Sequence, residues 1–262
     1  MRLDQFAKQD LSRTGSIQDA LLGMFQDPDI RYIRRAGANP DVDTGTAPED
    51  IWGGAGLYTG FPSAAEAVRI TSSSANDTAA GSGARTVFIS GLDTNGNFLS
   101  ETVTLSGTTP AVSVGSYKRL NRAYVVTSGS SNTAFNAGTL TLQQNVTTAN
   151  VFGIIDPGVN ELRTTAYTIP AATTGVLTAF EASGLRASST FNGTVALFIR
   201  PPGQAAGLSE QMDISSALVA RRTVRGGIYL PAGTDVVMRI ISTSANDVFV
   251  SGSIEVTLIR NS

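Results

Sequence analysis

Arg85-Thr86-Val87-Phe88-Ile89, then Gly91-Leu92-Asp93-Thr94-Asn95-Gly96-Asn97, then Glu101-Thr102-Val103-Thr104-Leu105 is the stretch that decides the fold class. Two strand-length runs rich in β-branched and aromatic residues flank an Asn-Gly pair, the strongest short-range hairpin signal. The two runs are therefore expected to pair antiparallel. Asp93, Asn95 and Asn97 also stand at the 1, 3 and 5 spacing of a calcium loop. The twelfth position, where such a loop needs Glu, is Thr104, so the hairpin is the stronger reading.

Working outward, similar runs recur at residues 67–71, 123–126 and 139–142, each bounded by turn residues. Asp156-Pro157-Gly158 reads as a turn and a domain boundary. Six more runs come after it, at 165–169, 176–180, 194–199, 227–230, 235–241 and 248–259. In the last, Val248, Val250, Ile254, Val256 and Leu258 share one parity and should face a core. Gly252 interrupts the run and suggests a bulge. The expected architecture is all-β. An arm over residues 1–47 with one short helix precedes two antiparallel, jelly-roll-like sandwiches, over 48–157 and 158–262. Ile70-Thr71-Ser72-Ser73-Ser74-Ala75-Asn76-Asp77 echoes Ile240-Ile241-Ser242-Thr243-Ser244-Ala245-Asn246-Asp247, which similar turn chemistry explains without duplication.

Composition narrows the function. The 262 residues are 41% hydrophobic, enough for real cores, and only 15% charged. With 19 basic against 21 acidic residues, no long-range field draws the chain to nucleic acid or an anionic membrane. No apolar run is long enough to span a bilayer, and Met1-Arg2-Leu3-Asp4 lacks the apolar core of a signal peptide, so synthesis in a cytoplasm is expected. Cysteine and histidine are both absent. The usual general base, thiol nucleophile and soft metal ligands are missing with them. Glu161, Glu181, Glu210, Asp213 and Asp235 occur singly, each reading as surface charge rather than half of a glycosidase pair. No enzyme activity, cofactor or metal site is expected.

The arm carries the candidate contacts. Ser16 and Asp19 form a capping-box-like start to a helix over about 16–26, whose one face is Ile17, Ala20, Leu21, Met24 and Phe25. Pro28 ends it after about nine residues, too short to stand alone. It must lie either on the chain's own β-structure or on another subunit. Arg31, Arg34 and Arg35 come next as a basic cluster, either solvated or an anchor for an acidic partner surface. Residues 36–48 lack periodicity and should be extended. Asp41 and Asp43 resemble the start of a calcium loop, but the twelfth position is Trp52. Trp52, the one tryptophan, heads a glycine-spaced aromatic stretch with Tyr58 and Phe61 that could plug a sheet edge or a neighbouring subunit.

Several blocks together resemble a family of virion structural proteins of tailed bacteriophages. They are Asn39-Pro40-Asp41-Val42-Asp43, Glu49-Asp50-Ile51-Trp52-Gly53-Gly54, Ser74-Ala75-Asn76-Asp77-Thr78-Ala79-Ala80-Gly81 before Ala84-Arg85-Thr86-Val87, Gly91-Leu92-Asp93, Glu101-Thr102-Val103-Thr104-Leu105 and Asn121-Arg122-Ala123-Tyr124-Val125. Their order and spacing match over residues 38–145; the C-terminal hundred residues match only in general character. The resemblance implies an external, non-catalytic particle component, for which a capsid decoration (cement) protein is the first expectation. A tail-fibre, neck or baseplate component is the second. It also implies a homo-oligomer, a trimer as first guess, held to the major capsid protein or to tail proteins. The expected interface comprises Ile17, Ala20, Leu21, Met24, Phe25, Arg31, Arg34, Arg35 and Trp52. A carbohydrate- or receptor-binding module is the alternative from another class.

Overall fold

The computed structural model describes residues 30–130, 135–187, 190–216 and 219–261. The helix expected over 16–26, with Ile17, Ala20, Leu21, Met24 and Phe25, lies outside them. Among the described residues the chain is all-β, in antiparallel sheets. Its strands are Ile30–Val42 (β1), Glu49–Asp50 (β2), Glu66–Ser72 (β3), Ala84–Leu92 (β4), Phe98–Thr104 (β5), Ala111–Tyr117 (β6), Arg119–Ser128 (β7) and Leu140–Gln144 (β8). They continue with Val151–Ile155 (β9), Tyr167–Thr168 (β10), Thr173–Leu185 (β11), Asn192–Arg200 (β12), Gly207–Ser215 (β13), Ala220–Leu230 (β14), Asp235–Thr243 (β15) and Val248–Arg260 (β16).

Strand alternation builds two separate cores. In the first, sheet β6-β3-β8-β9 faces sheet β5-β4-β7, and Val68 and Ile70 of β3 meet Val87 and Ile89 of β4. The decisive hairpin forms as expected, β4 against β5 from Thr86↔Thr104 to Leu92↔Phe98. Its turn is not a two-residue Asn-Gly loop, however. Asp93 Oδ1 accepts from the backbone N–H of Asn95 and Asn97 at 2.8 and 2.9 Å, while Gly96 alone takes a positive φ of 81°. An aspartate-stabilised three-residue loop ending in a left-handed glycine competes with the Asn-Gly turn here and wins.

In the second core, sheet β1-β16-β11-β14 faces β10-β15-β12-β13, which β2 joins through β15. Val248, Val250, Ile254, Val256 and Leu258 all point into it, as their parity requires. Each such side chain contributes about 1.5–3 kcal/mol by leaving water. β16 runs unbroken through Gly252, which pairs with Gly37. The bulge expected there falls between Asn39 and Val42 on β1, where the edge position tolerates Pro40.

Residues 30–50, expected to divide between a separate arm (to 47) and the first sandwich (from 48), belong to this second sandwich. Extended they are, but β1 pairs with β16 from Ile30↔Ile259 to Val42↔Val248, and Ile33, Val42 and Ile51 pack in the core. β2 and β10 lie successively along β15, with Glu49 and Asp50 opposite Ile240 and Arg239, then Tyr167 and Thr168 opposite Val236 and Asp235. They are two halves of one interrupted strand. The whole first sandwich is inserted between them, so the boundary expected at residue 47 falls inside a continuous structural unit. Alternation masks β1, because its inward positions include Arg35, Gly37 and Asn39.

Candidate functional site at the junction of the two sandwiches

The insertion leaves and returns through a narrow neck. Ile51 donates its N–H to Met238 O at 2.9 Å, Thr165 donates to Ile51 O at 3.2 Å, and Trp52 bridges antiparallel to Thr164. Trp52, expected as part of a partner interface, is 4% exposed. Its Nε1 donates to Gly56 O at 3.1 Å, and its ring meets Tyr58 edge-on at 5.4 Å, as Tyr58 meets Phe61 at 4.9 Å. The plug fills the chain's own sandwich junction, with Ala166 and Val237 beneath it. Gly54 lets the loop fold back over the indole, where a Cβ would stand 2.3 Å from the Trp52 ring. Burial pushes the Tyr58 hydroxyl far above its ordinary pKa while it donates to Phe152 O at 2.9 Å.

Beside the plug, Arg119 from the inserted sandwich grips Asp235 from the other, Nε to Oδ1 at 2.8 Å and Nη2 to Oδ2 at 3.0 Å. Arg200 binds the same carboxylate, through Nε at 2.9 Å and Nη2, and the Thr168 hydroxyl donates to it too. Both guanidiniums lie against Phe61, at 5.4 and 5.1 Å from its centroid. Asn121 and Thr168 exchange two further bonds across the junction, at 3.0 and 3.2 Å. Asp235 is 3% exposed, which corrects the surface-charge reading. A lone aspartate at a strand start gives no sign of arginines arriving from residues 35 and 116 positions away. Arg239 makes a similar fork onto Asp50, at 2.7 and 3.2 Å.

Phe61, Arg119, Thr168, Arg200 and Asp235 line a cleft of about 600 Å³ between the sandwiches, walled also by the Asp93–Gly96 turn, Lys118 and Pro201-Pro202-Gly203. Asp235 has both oxygens engaged by cations or hydroxyl, so its chemistry is that of a clasp. The remaining sequence-selected carboxylates lie elsewhere. Glu161 faces Arg122 at 3.9 Å, Glu210 pairs with Arg222 at 2.8 Å, and Asp213 accepts from Thr194 at 2.9 Å.

The basic cluster is divided by strand alternation. Arg34 faces outward and pairs with Glu181, which also takes Arg221 at 3.3 Å and the Ser253 hydroxyl at 3.0 Å. Burial pushes the Glu181 carboxyl up, but the Ser253 bond and the two arginines outweigh it and hold it below its ordinary value. Arg221 reaches on to Glu255 at 2.8 Å. Arg34 thus serves the sheet's own acidic network. Arg35 faces inward and Arg31 is exposed. Asp41 and Asp43 meet Asp247, all three offering oxygens within 4.8 Å of one another, a third carboxylate that residue spacing from Asp41 does not reveal.

No protein family and no curated protein matches the chain. Solved structures similar to it include two of infectious bursal disease virus. A chain of the Gx strain is 13% identical with a TM-score of 0.23, over 87% of this chain and 71% of that one. A chain of the Gt strain is 11% identical with a TM-score of 0.14, over 95% and 86%. Likeness this faint carries no argument about fold or function.

Proposed function

We propose that this chain is a non-catalytic structural component of the exterior of a tailed-phage particle, and within that class a capsid decoration protein. The observation that carries the reading is the strand order of the interrupted sandwich. Numbered along the chain with β2 and β10 as one strand, its sheets run 1-8-3-6 and 2-7-4-5. That order is a jelly roll, the eight-strand double sheet common to viral capsid domains, lectins and cupins. The metal chemistry that such barrels often host draws on imidazole, and the sequence contains no histidine. The block resemblance over residues 38–145 supports the virion class independently of the strand order. Attachment through the N-terminal segment rests on the apolar face Ile17, Ala20, Leu21, Met24 and Phe25 of the short helix expected there, which needs a partner surface, and a trimeric state rests on the resemblance. Mass spectrometry of gradient-purified particles should find the chain in stoichiometric amounts; particles lacking it would end this reading.

One observation favours a second reading, a carbohydrate- or receptor-binding module. On the outer face of the β1-β16-β11-β14 sheet, Tyr32, Thr257, Val176 and Tyr229 form one cross-strand row, and the tyrosines at its ends are 49% and 69% exposed. Exposed tyrosine rings can stack on sugars. A glycan array showing binding that Tyr229→Ala abolishes would favour this reading, and an array without hits would remove it.

A further inference from the structure

The cleft between the sandwiches carries unequal charge. Lys118, Arg119 and Arg200 line it against two carboxylates, Asp93 and Asp235, a surplus of one positive charge on a chain whose formal charge is −2. Both carboxylates are already engaged. Asp235 is held by the two arginines and the Thr168 hydroxyl, while Asp93 accepts from the N–H groups of Asn95 and Asn97 and from Asn97 Nδ2. The cations are only partly engaged. Arg119 uses every nitrogen, Nε and Nη2 on Asp235 and Nη1 on the carbonyls of Pro62 and Lys118. Arg200 gives only Nε and Nη2 to Asp235, and its side chain is 35% exposed, against 11% for Arg119. Among the described residues, Arg200 Nη1 and the half-buried Lys118 amine have no partner.

The cleft volume, about 600 Å³, lies within the roughly 300–1,000 Å³ of ligand pockets, which favour domain interfaces and set a few polar groups among apolar walls. Phe61, Ala171, Pro201, Pro202 and Ala232 supply such a wall. Asn95 and Gln204 add exposed side-chain amides without a protein partner among the described residues. An ammonium and the free edge of a guanidinium call for an acceptor-only group, and a surplus of one charge matches a carboxylate better than a dianionic phosphate. Amides and proline faces beside that charge suit the backbone and apolar side chains of a peptide. We propose that the cleft binds an acidic peptide segment of a partner protein, its Asp or Glu carboxylate held by Lys118 and Arg200 and its neighbouring apolar residues against Pro201-Pro202. The site is built by this chain alone and does not depend on the virion reading.

The test is nuclear magnetic resonance of the full chain labelled with ¹⁵N-lysine and ¹⁵N-arginine. Only two lysines, Lys8 and Lys118, are present, so the lysine spectrum is simple. The probe is a pool of acetylated, amidated pentapeptides with Glu at the centre and mixed apolar residues on either side, titrated at constant ionic strength. The Lys118 amide and Arg200 Nε–H signals should move and saturate while Lys8 stays in place. The same pool with Gln at the centre should bind at least about tenfold more weakly, the loss expected for a hydrogen bond between charged groups. Lys118→Met, which keeps the aliphatic stem, should weaken binding of the Glu pool by about the same factor and leave the remaining arginine signals unmoved. Signals that do not respond to the Glu pool would overturn the proposal. Equal binding of the Gln pool, or undiminished binding to Lys118→Met, would overturn it as well, by removing the carboxylate or its holder from the site. Sodium acetate that saturates the same signals at the same concentration as the Glu pool would overturn the peptide assignment, leaving a site for small carboxylates.

Discussion

Ser74-Ala75-Asn76-Asp77 and Ser244-Ala245-Asn246-Asp247 are the same four residues, each within two residues of a strand's end, yet the fold uses them in opposite ways. Asp77 is wholly buried and accepts four hydrogen bonds, from the Ser72 hydroxyl at 2.6 Å and the N–H groups of Ala84, Ala137 and Gly138 at 2.7, 2.8 and 2.9 Å. Asp247 is exposed, takes a left-handed φ of 54°, and offers its N–H to Asp43 Oδ1 at 2.9 Å. The difference arises on the C-terminal side of each tetrapeptide. After Asp77 the chain loops through residues 78–83 before β4, and the segment at 137–138 closes over the carboxylate. After Asp247 it enters β16 at once, leaving the turn in water. An identical tetrapeptide is thus a buried hub in one place and a surface corner in the other, which fits similar turn chemistry rather than duplication.

The comparison can be broken or sharpened by substitution. Asp77→Ala strands three backbone donors and a hydroxyl without an acceptor, and should cost about 4 kcal/mol or more, read as a fall in the urea midpoint. Asp235→Ala leaves Arg119 and Arg200 uncompensated at the junction and should cost about 3–5 kcal/mol. It should also separate the unfolding of the two sandwiches, visible as a second calorimetric transition. Gly37→Ala places a Cβ 2.5 Å from Ile51 O and 2.6 Å from Thr165 N, both backbone, so β1 must shift from the neck at a cost of about 1–3 kcal/mol.

Glu181→Gln tests the outer ionic network. The Glu181 carboxyl is held below its ordinary pKa of 4.5, so its stabilising share is full above that pH and disappears as the pH falls through its lower folded value. The gap between parent and variant, under about 1 kcal/mol at neutral pH, should therefore close in acid melts. Asp247→Asn, which tolerates the left-handed backbone as aspartate does, should change stability by less than about 0.5 kcal/mol. A loss there comparable to that of Asp77→Ala would contradict the contrast between the two turns.

The same contrast between local pattern and long-range assembly governs how much of the fold is legible in the sequence. Runs whose alternation is apolar, such as β3, β4, β15 and β16, are plain, and the parity of β16 places its core residues correctly. β13, Gly-Leu-Ser-Glu-Gln-Met-Asp-Ile-Ser, gives no such signal because an edge strand carries mostly polar residues. β1 reads as arm because arginine, glycine and asparagine occupy its inward face. Trp52 and Asp235 read as surface because partners remote in sequence, Val237 for one and Arg119 and Arg200 for the other, are brought to them only by tertiary packing. Local pattern reports which residues can be inside. It does not report that one strand is cut in two and a second sandwich placed in the gap.

The virion reading is tested most directly by gold-labelled antibody against the full chain, applied to intact purified phage particles and viewed by electron microscopy. Gold distributed over the outside of the heads is the predicted result. Label confined to tails would contradict a decoration role and leave the tail-component reading, while intact particles that bind no antibody would contradict an exterior virion protein altogether.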